Sequence, residues 1–402
     1  MMHSKAHHIL DAIERQALDL GHQNQGIISR AHGFLPSSEP LLQLPAHYKM
    51  WDDLAAATPE LMRSLRYRSA LDKMPVLDVD PTLLPDKYLH RAAILLGFLA
   101  HGYARADKDF VPQEDLPKSI LMPWATVCER LHRPFPVMTY FDLVAYNWKF
   151  KNAASTERTV ENMELLFPIF DNTEERMLYL TQTEMLFRSA PIIGLVTEIY
   201  DRMLLEEDER ISHLLKEITA CMHQLTKVSF QKITSSKNSP HRMDPVVFAK
   251  TMMSFAVPIK TGIPGPSGAA FPTFHLLDIA FGREKYNSQL GMEALKIRSV
   301  FPPAILSYFE SLESHTINEY VEKRNNEVLT AALNEFVDAY SGPEGFLANH
   351  RKKIYGFLQT AFQVGRSETI GGYSGKGADH TEWRIVHQHL EDARKERKTK
   401  GS

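Results

Sequence analysis

Residues 208–233 read DERISHLLKEITACMHQLTKVSFQKI. Ile211, Leu214, Leu215, Ile218, Met222, Leu225 and Val228 recur there at spacings of three and four. That period predicts an amphipathic helix with one apolar stripe. The same period runs through most of the chain. Thr316 to Tyr340 reads as one long helix. Asp244-Pro245, ahead of VVFAKTMMSFAV, joins an N-cap to a proline at the first helical position. Strand-like alternation over more than five residues is scarce, so the expected fold class is all-α.

Working outward, two stretches read as joints. The polar run Lys149 to Arg158, KFKNAASTER, follows the Pro-rich, aromatic segment RPFPVMTYFDLVAYNW. It divides the chain into a smaller helical domain, residues 1–150, and a larger one, residues 151–402. The second is Gly365 to His380, with glycines at 365, 371, 372, 375 and 377. Glycine makes this backbone permissive, as in a linker or a lid over a ligand. It is no dinucleotide fingerprint, because the G-x-G-x-x-G spacing fails. The basic tail ARKERKTKGS, residues 393–402, reads as a frayed, solvated end.

Composition narrows the function classes. The chain has 402 residues, 44% of them hydrophobic, which is enough for a real core. A net charge of −3 argues against a general binder of nucleic acid or anionic membrane. Two cysteines, Cys128 and Cys221, exclude a disulfide scaffold and a cysteine-based zinc cluster. Asp11, Glu14 and Arg15 interrupt any apolar signal core near the N-terminus. The most apolar stretch, Ala92 to Ala100, is far shorter than a span of about 20 residues. These features lead to the expectation of a cytoplasmic protein with neither nucleic acid nor membrane as partner; the oligomeric state stays open.

The 18 histidines are the obvious candidates for chemistry. There is no H-E-x-x-H and no G-x-S-x-G. His387 and His389 are two apart and point in different directions on a helix. His7 and His8 read as surface residues. Cys128 reads as a buried structural thiol, and the acids Glu206 to Glu209 suit a helix start. His350 differs. A helix starting at Ser341-Gly342-Pro343 runs EGFLANHRKKIYGFLQTAFQ, with Phe346, Leu347, Ile354, Phe357, Leu358, Ala361 and Phe362 on its apolar face. His350 falls on that face, while Asn349, Arg351, Lys352 and Lys353 point away. Such a histidine is either a satisfied core residue or a ligand. Zinc needs three or four ligands. A haem needs one imidazole on its proximal side, with the other nitrogen held by an acceptor.

Four blocks then carry a family likeness. They are HGFLPSSEPLLQLPAHYKMWDDLAAATPELM from His32, LPKSILMPWATVCERLHRPFPVMTYFDLVAYNWKF from Leu116, GPSGAAFPTFHLLDIAFG from Gly265, and FPPAILSYFESLES with the His350 helix and Gly371-Gly372 behind it. In order and spacing the chain resembles the indoleamine 2,3-dioxygenase family of haem proteins. The resemblance implies a two-domain helical fold with haem b in the larger domain. It implies His350 as the proximal iron ligand and Ser267 and Gly268 beside the haem on its distal side. Gly371 and Gly372 match the mobile loop that closes over substrate. Trp124 stands where the family often has a tyrosine near the indole pocket, and Phe248 matches a distal phenylalanine. A second distal phenylalanine falls near Leu178 or Tyr179, with the register open.

One departure matters. The family pattern Phe-x-x-x-x-Arg, whose arginine binds the substrate carboxylate, ends here in Met253. Methionine cannot pair with a carboxylate, whereas arginine offers two charge-assisted hydrogen bonds. Ala270-Phe271-Pro272 replaces Gln-Ser-Ser. Either another cation, such as Arg188 or Lys250, takes the carboxylate, or the substrate is not a plain α-amino acid. The activity implied uses O2 as co-substrate and an indole, tryptophan or a tryptophan-like one, as the small-molecule partner. Both oxygen atoms enter the product and the C2–C3 bond breaks, giving an N-formylkynurenine-type product. Two other readings stay open: monooxygenation or oxidative rearrangement of an indole derivative, which Met253 favours, and a haem-binding protein without catalysis.

Overall fold

A computed structural model describes residues 3–19, 27–107, 109–152, 154–252, 257–260, 262–263, 265–283, 286–365 and 382–398. The protein is mostly helical. Among the described residues the named strands are Lys149–Phe150 and Met163–Glu164, a two-residue antiparallel ladder. That ladder lies at the polar run read as a joint.

The helix Asp208–Gln224 packs against Glu327–Ser341 and Pro191–Leu205. Ile211, Leu214, Leu215, Ile218, Met222 and Leu225 are all buried, as the stripe requires. Val228 is not: it is 36% exposed. The backbone widens into a π-turn over Leu225–Ser229 and then tightens into a 3-10 turn over Phe230–Lys232. A π-turn advances each residue by a smaller angle, so the stripe slips out of phase. Thr226, Ser229 and Phe230 take the inward positions instead.

The long helix expected over Thr316 to Tyr340 is two helices, Ile317–Arg324 and Glu327–Ser341. Asn325 adopts a left-handed conformation, φ 51°, and stops the first. Asn326 starts the second, its side chain accepting from the backbone N–H groups of Val328 and Leu329. Asparagine tolerates both jobs. The Asp244-Pro245 start holds: the Asp244 carboxylate accepts from Val246 and Val247 at 2.8 and 3.2 Å, opening the short helix Pro245–Lys250.

The His350 helix begins later than its sequence suggests, spanning Phe346–Gln363 with Gly345 at its N-cap. Ser341 ends the preceding helix. The chain turns tightly against that helix end. A Cβ on Gly342 or Gly345 would lie 2.5 Å from the Asp338 carbonyl oxygen.

Farther upstream, Leu89–Arg105 is buried along nearly its whole length and packs on Lys118–Arg130 and Lys49–Arg63. Arg91 inside it donates to Asp52 at 2.5 and 3.0 Å, joining two of these helices. One apolar core runs continuously from Ala6 to Ala361. The N-terminal helix Lys5–Asp19 lies on Pro191–Leu205 and Pro303–Glu310.

The basic tail is not simply solvated. Residues 393–398 belong to the helix Glu382–Lys398, which seats on the His350 helix through Trp383, Val386 and Leu358. Ala393 is buried, and Arg394 and Arg397 turn inward. Their long stems cover apolar surface while paired heads satisfy the charge.

Candidate functional site

The His350 helix, Thr173–Arg188, Pro245–Lys250, the turn Gly268–Ala270, Pro272–Ala280 and the C-terminal helix surround one cavity of about 310 Å³. Its walls are largely phenylalanine, leucine, isoleucine and methionine. His350, Ser267, Gly268 and Phe248 all line it, although they come from three distant parts of the sequence.

His350 sits against the rings of Phe230, 5.6 Å between centroids, and Phe346, 6.5 Å and nearly parallel. Among the described residues its imidazole has no hydrogen-bond partner. Burial pulls its pKa down to about 4, so the ring is neutral near pH 7 and keeps a nitrogen lone pair. The π-turn upstream is what delivers Phe230. Lys353, expected to point away, instead turns inward and donates to the carbonyls of Phe230, Gln231 and Ile233, each at 3.1 Å. The carbonyls freed where the helix changes pitch need donors, and Lys353 is one turn along on the neighbouring helix. Phe248 meets Phe357 edge-on at 5.4 Å.

Ser267 caps the short turn that follows it, accepting from Ala269 N–H at 3.3 Å. Gly268 lies beside Gln182: a Cβ there would stand 3.7 Å from Gln182 Oε1. Of the pair left open in register, Leu178 lines the cavity, while Tyr179 is buried in the core. Trp124 does not reach the cavity. It is fully buried and lines a separate small void with His101, Met138 and Ile259. Met253, Gly371 and Gly372 lie outside the described residues.

Neither cation suggested for a carboxylate lines the cavity. Arg188 donates to buried Glu184 at 3.0 Å, and Lys250 is exposed. Among the described residues, the arginines on the wall are Arg394 and Arg397, both from the C-terminal helix. Arg397 Nε donates to Asp278 at 2.8 Å, and the same carboxylate accepts from Tyr340 at 2.9 Å and from Tyr286. Arg394 donates to the Ser341 carbonyl and to Glu391.

Sequence reasoning missed His275 and Asp278. Both face the cavity from Pro272–Ala280. His275 Nε2 donates to the Ala269 carbonyl at 2.8 Å while Nδ1 accepts from Arg298 at 3.1 Å, which fixes its tautomer. Burial, with Arg298 nearby, brings its pKa down to about 3. The signal was present: two polar residues three apart in an otherwise apolar helix share one face.

A helical cavity with apolar walls and, among the described residues, a single unpartnered, neutral imidazole is the kind of pocket that holds a flat hydrophobic prosthetic group. The profile of the family described as "IDO: Indoleamine 2,3-dioxygenase" matches residues 24–350. Indoleamine 2,3-dioxygenase 1 of Mus musculus is 24% identical over 322 residues, covering 74% of this chain and 76% of the mouse protein. Indoleamine 2,3-dioxygenase 2 of Homo sapiens is 25% identical over 334 residues, 78% of each chain. A 6-hydroxytryptophan 2,3-dioxygenase of Fusarium equiseti is 27% identical over 282 residues, 64% of this chain and 66% of the fungal one. The chain belongs to the indoleamine 2,3-dioxygenase family and is a haem dioxygenase by that membership.

Proposed function

We propose that this protein is a haem-dependent dioxygenase acting on an indole, tryptophan or a tryptophan-like relative, with cleavage of the C2–C3 bond. The observation that carries the reading is His350: neutral, without a hydrogen-bond partner among the described residues, and set in the wall of an apolar cavity. The residues present fit haem. His350 would hold the iron, Phe230, Phe346 and Phe357 would pack the macrocycle, and Arg394 and Arg397 would face its carboxylates. Haem bound there would supply the dioxygen activation that no side chain can. The protein contributes the rest: Phe248 and Leu178 offer apolar surface for an indole ring, and Ser267-Gly268 leave room because their side chains are small. The apolar walls disfavour water beside the ring, and no protein base is required for oxygen addition to an electron-rich ring.

In this reading residues 151–402 form the larger, haem-binding domain and residues 1–150 the smaller one. Trp124 belongs to the packing beneath the site. Among the described residues no helix is long and apolar enough to cross a membrane; a cytosolic location is part of the same proposal and rests on the family likeness. Methionine at 253 in the sequence, where the family pattern has arginine, favours a substrate whose recognition does not depend on a free α-carboxylate.

The test is reconstitution followed by turnover. Haem added to the wild type should give a histidine-ligated Soret band that is lost in His350→Ala. Tryptophan and a series of indoles without carboxylates should then be turned over under isotope-labelled dioxygen. A ring-opened product carrying two labels supports the proposal; single-label insertion, or an unchanged spectrum in His350→Ala, refutes it.

A further inference from the structure

A second cluster of ligating side chains lies away from the cavity, where the N-terminal helix meets Pro191–Leu205. His3 Nδ1 is 3.2 Å and His7 Nδ1 2.6 Å from the same oxygen, Asp201 Oδ2. The three ligand atoms all fall within 4.8 Å of one another. The imidazoles stack at 3.8 Å between centroids, 29° apart, with both Nδ1 edges turned to the carboxylate.

The arrangement is built. Asp201 is 8% exposed. Its other oxygen, Oδ1, accepts from the Ser4 backbone N–H at 2.6 Å, which aims Oδ2 at the imidazoles. Ser4 Oγ accepts from the His7 N–H at 3.2 Å and fixes the turn that brings His3 over His7. Behind His7, Nε2 lies 3.4 Å from Asp11 Oδ2. A carboxylate on the far nitrogen of a ligating histidine is the usual outer partner of a metal-bound imidazole, because it sets the tautomer and raises basicity.

We propose that His3, His7 and Asp201 form a site for a divalent transition-metal ion of the zinc class, with a coordination position left for water. Two imidazoles and a carboxylate match the borderline preference of zinc. Metal–ligand bonds of about 2.0–2.2 Å in a tetrahedron put neighbouring ligand atoms roughly 3.3 Å apart. The His3–Asp201 edge already has that length, and the His7–Asp201 edge reaches it by a small ring rotation. The ion would replace shared hydrogen bonds with bonds to one centre and so pin Lys5–Asp19 onto Pro191–Leu205. His7, read from sequence as a surface residue, becomes half of a chelating pair spaced four apart.

The experiment uses the full chain, stripped with a chelator, incubated with zinc alone and desalted. Metal content is measured by atomic emission, and affinity by competition with a chromophoric chelator. The wild type should retain one zinc per chain. His7→Ala, His3→Ala and Asp201→Asn should each bind at least tenfold more weakly, and His213→Ala, on an exposed face elsewhere, should bind as the wild type does. Circular dichroism checks that each variant is folded; His3 precedes the helix, so His3→Ala decides the matter if His7→Ala does not fold. Retention of no zinc by the wild type, or of equal zinc by His3→Ala, overturns the proposal.

Discussion

Arg397 and Asp278 stand 119 residues apart in sequence and share a hydrogen bond of 2.8 Å in the wall of the cavity. Asp278 is 1% exposed, so the pair is buried and each charge depends on the other. Removing one partner of such a pair leaves the other uncompensated, at a cost of about 3–5 kcal/mol. Arg397→Met and Asp278→Asn should each lower the free energy of unfolding by that order, measured by urea titration. The double variant should recover part of the loss, since neither methionine nor asparagine leaves a stranded charge. Additive losses would show that the two residues act separately.

The buried histidines set a pH dependence. His350 and His275 have folded pKa values of about 4 and about 3 against 6.5 when free. Both are lowered, so below pH 6.5 the unfolded chain takes up protons that the folded chain refuses. Stability is therefore complete above pH 6.5 and falls as the pH drops toward 4 for His350 and toward 3 for His275. Each contributes a slope of up to about 1.4 kcal/mol per pH unit in that window. Urea unfolding of the haem-free protein between pH 7 and 5 should show this fall, and His350→Phe should flatten it by about one proton. An identical slope in the variant would contradict the account.

Gly345 allows the His350 helix to begin where it does. Its Cβ would sit 2.5 Å from one backbone oxygen and 2.9 Å from another, the carbonyls of Asp338 and Ala339. Backbone atoms cannot swing aside as a side chain can. Gly345→Ala should cost about 1–3 kcal/mol. It should also weaken haem binding, because the strain is relieved by moving Phe346 and His350. A titration of haem into the folded variant checks the second effect independently of the first.

Lys353 acts on the other side of the same helix. Its ammonium group serves two carbonyls of the 3-10 turn and that of Ile233 just after it, and lies 5.4 Å over the ring of Phe230. Lys353→Met keeps the stem and removes the donors. The expected loss is about 2 kcal/mol, the scale of hydrogen bonds to a charged group. Near-ultraviolet circular dichroism should report the released Phe230, and the Soret band of the reconstituted variant should broaden or shift. Wild-type spectra in both regions would reject a positioning role for Lys353.

Apolar spacing of three and four gave the helices, because burial of one face is a local, periodic demand. It placed Ile211 to Leu225 correctly and set His350 on an inward face. The four sequence blocks gave the family, and with it the expectation of haem. Spacing failed where the backbone changes pitch. Val228 fits the stripe on paper, but the π-turn rotates it outward and sends Phe230 to the histidine. Asn325 and Asn326 look compatible with a helix until the chain must turn there.

Periodic spacing and the four blocks establish the helical class and the family, and they single out His350 on the apolar face of its helix. What surrounds that imidazole depends on how remote helices pack. Arg394 and Arg397 read as a solvated tail because isolated charge belongs in water; the distant Asp278, Tyr286 and Ser341, with Glu391 one turn back on the same helix, make their burial tolerable. His7 reads as a surface residue until Asp201, 194 positions away, is brought beside it. Periodicity reports which face of an element is dry. It carries no information on which remote partner will satisfy a buried charge, because that is fixed by how helices pack.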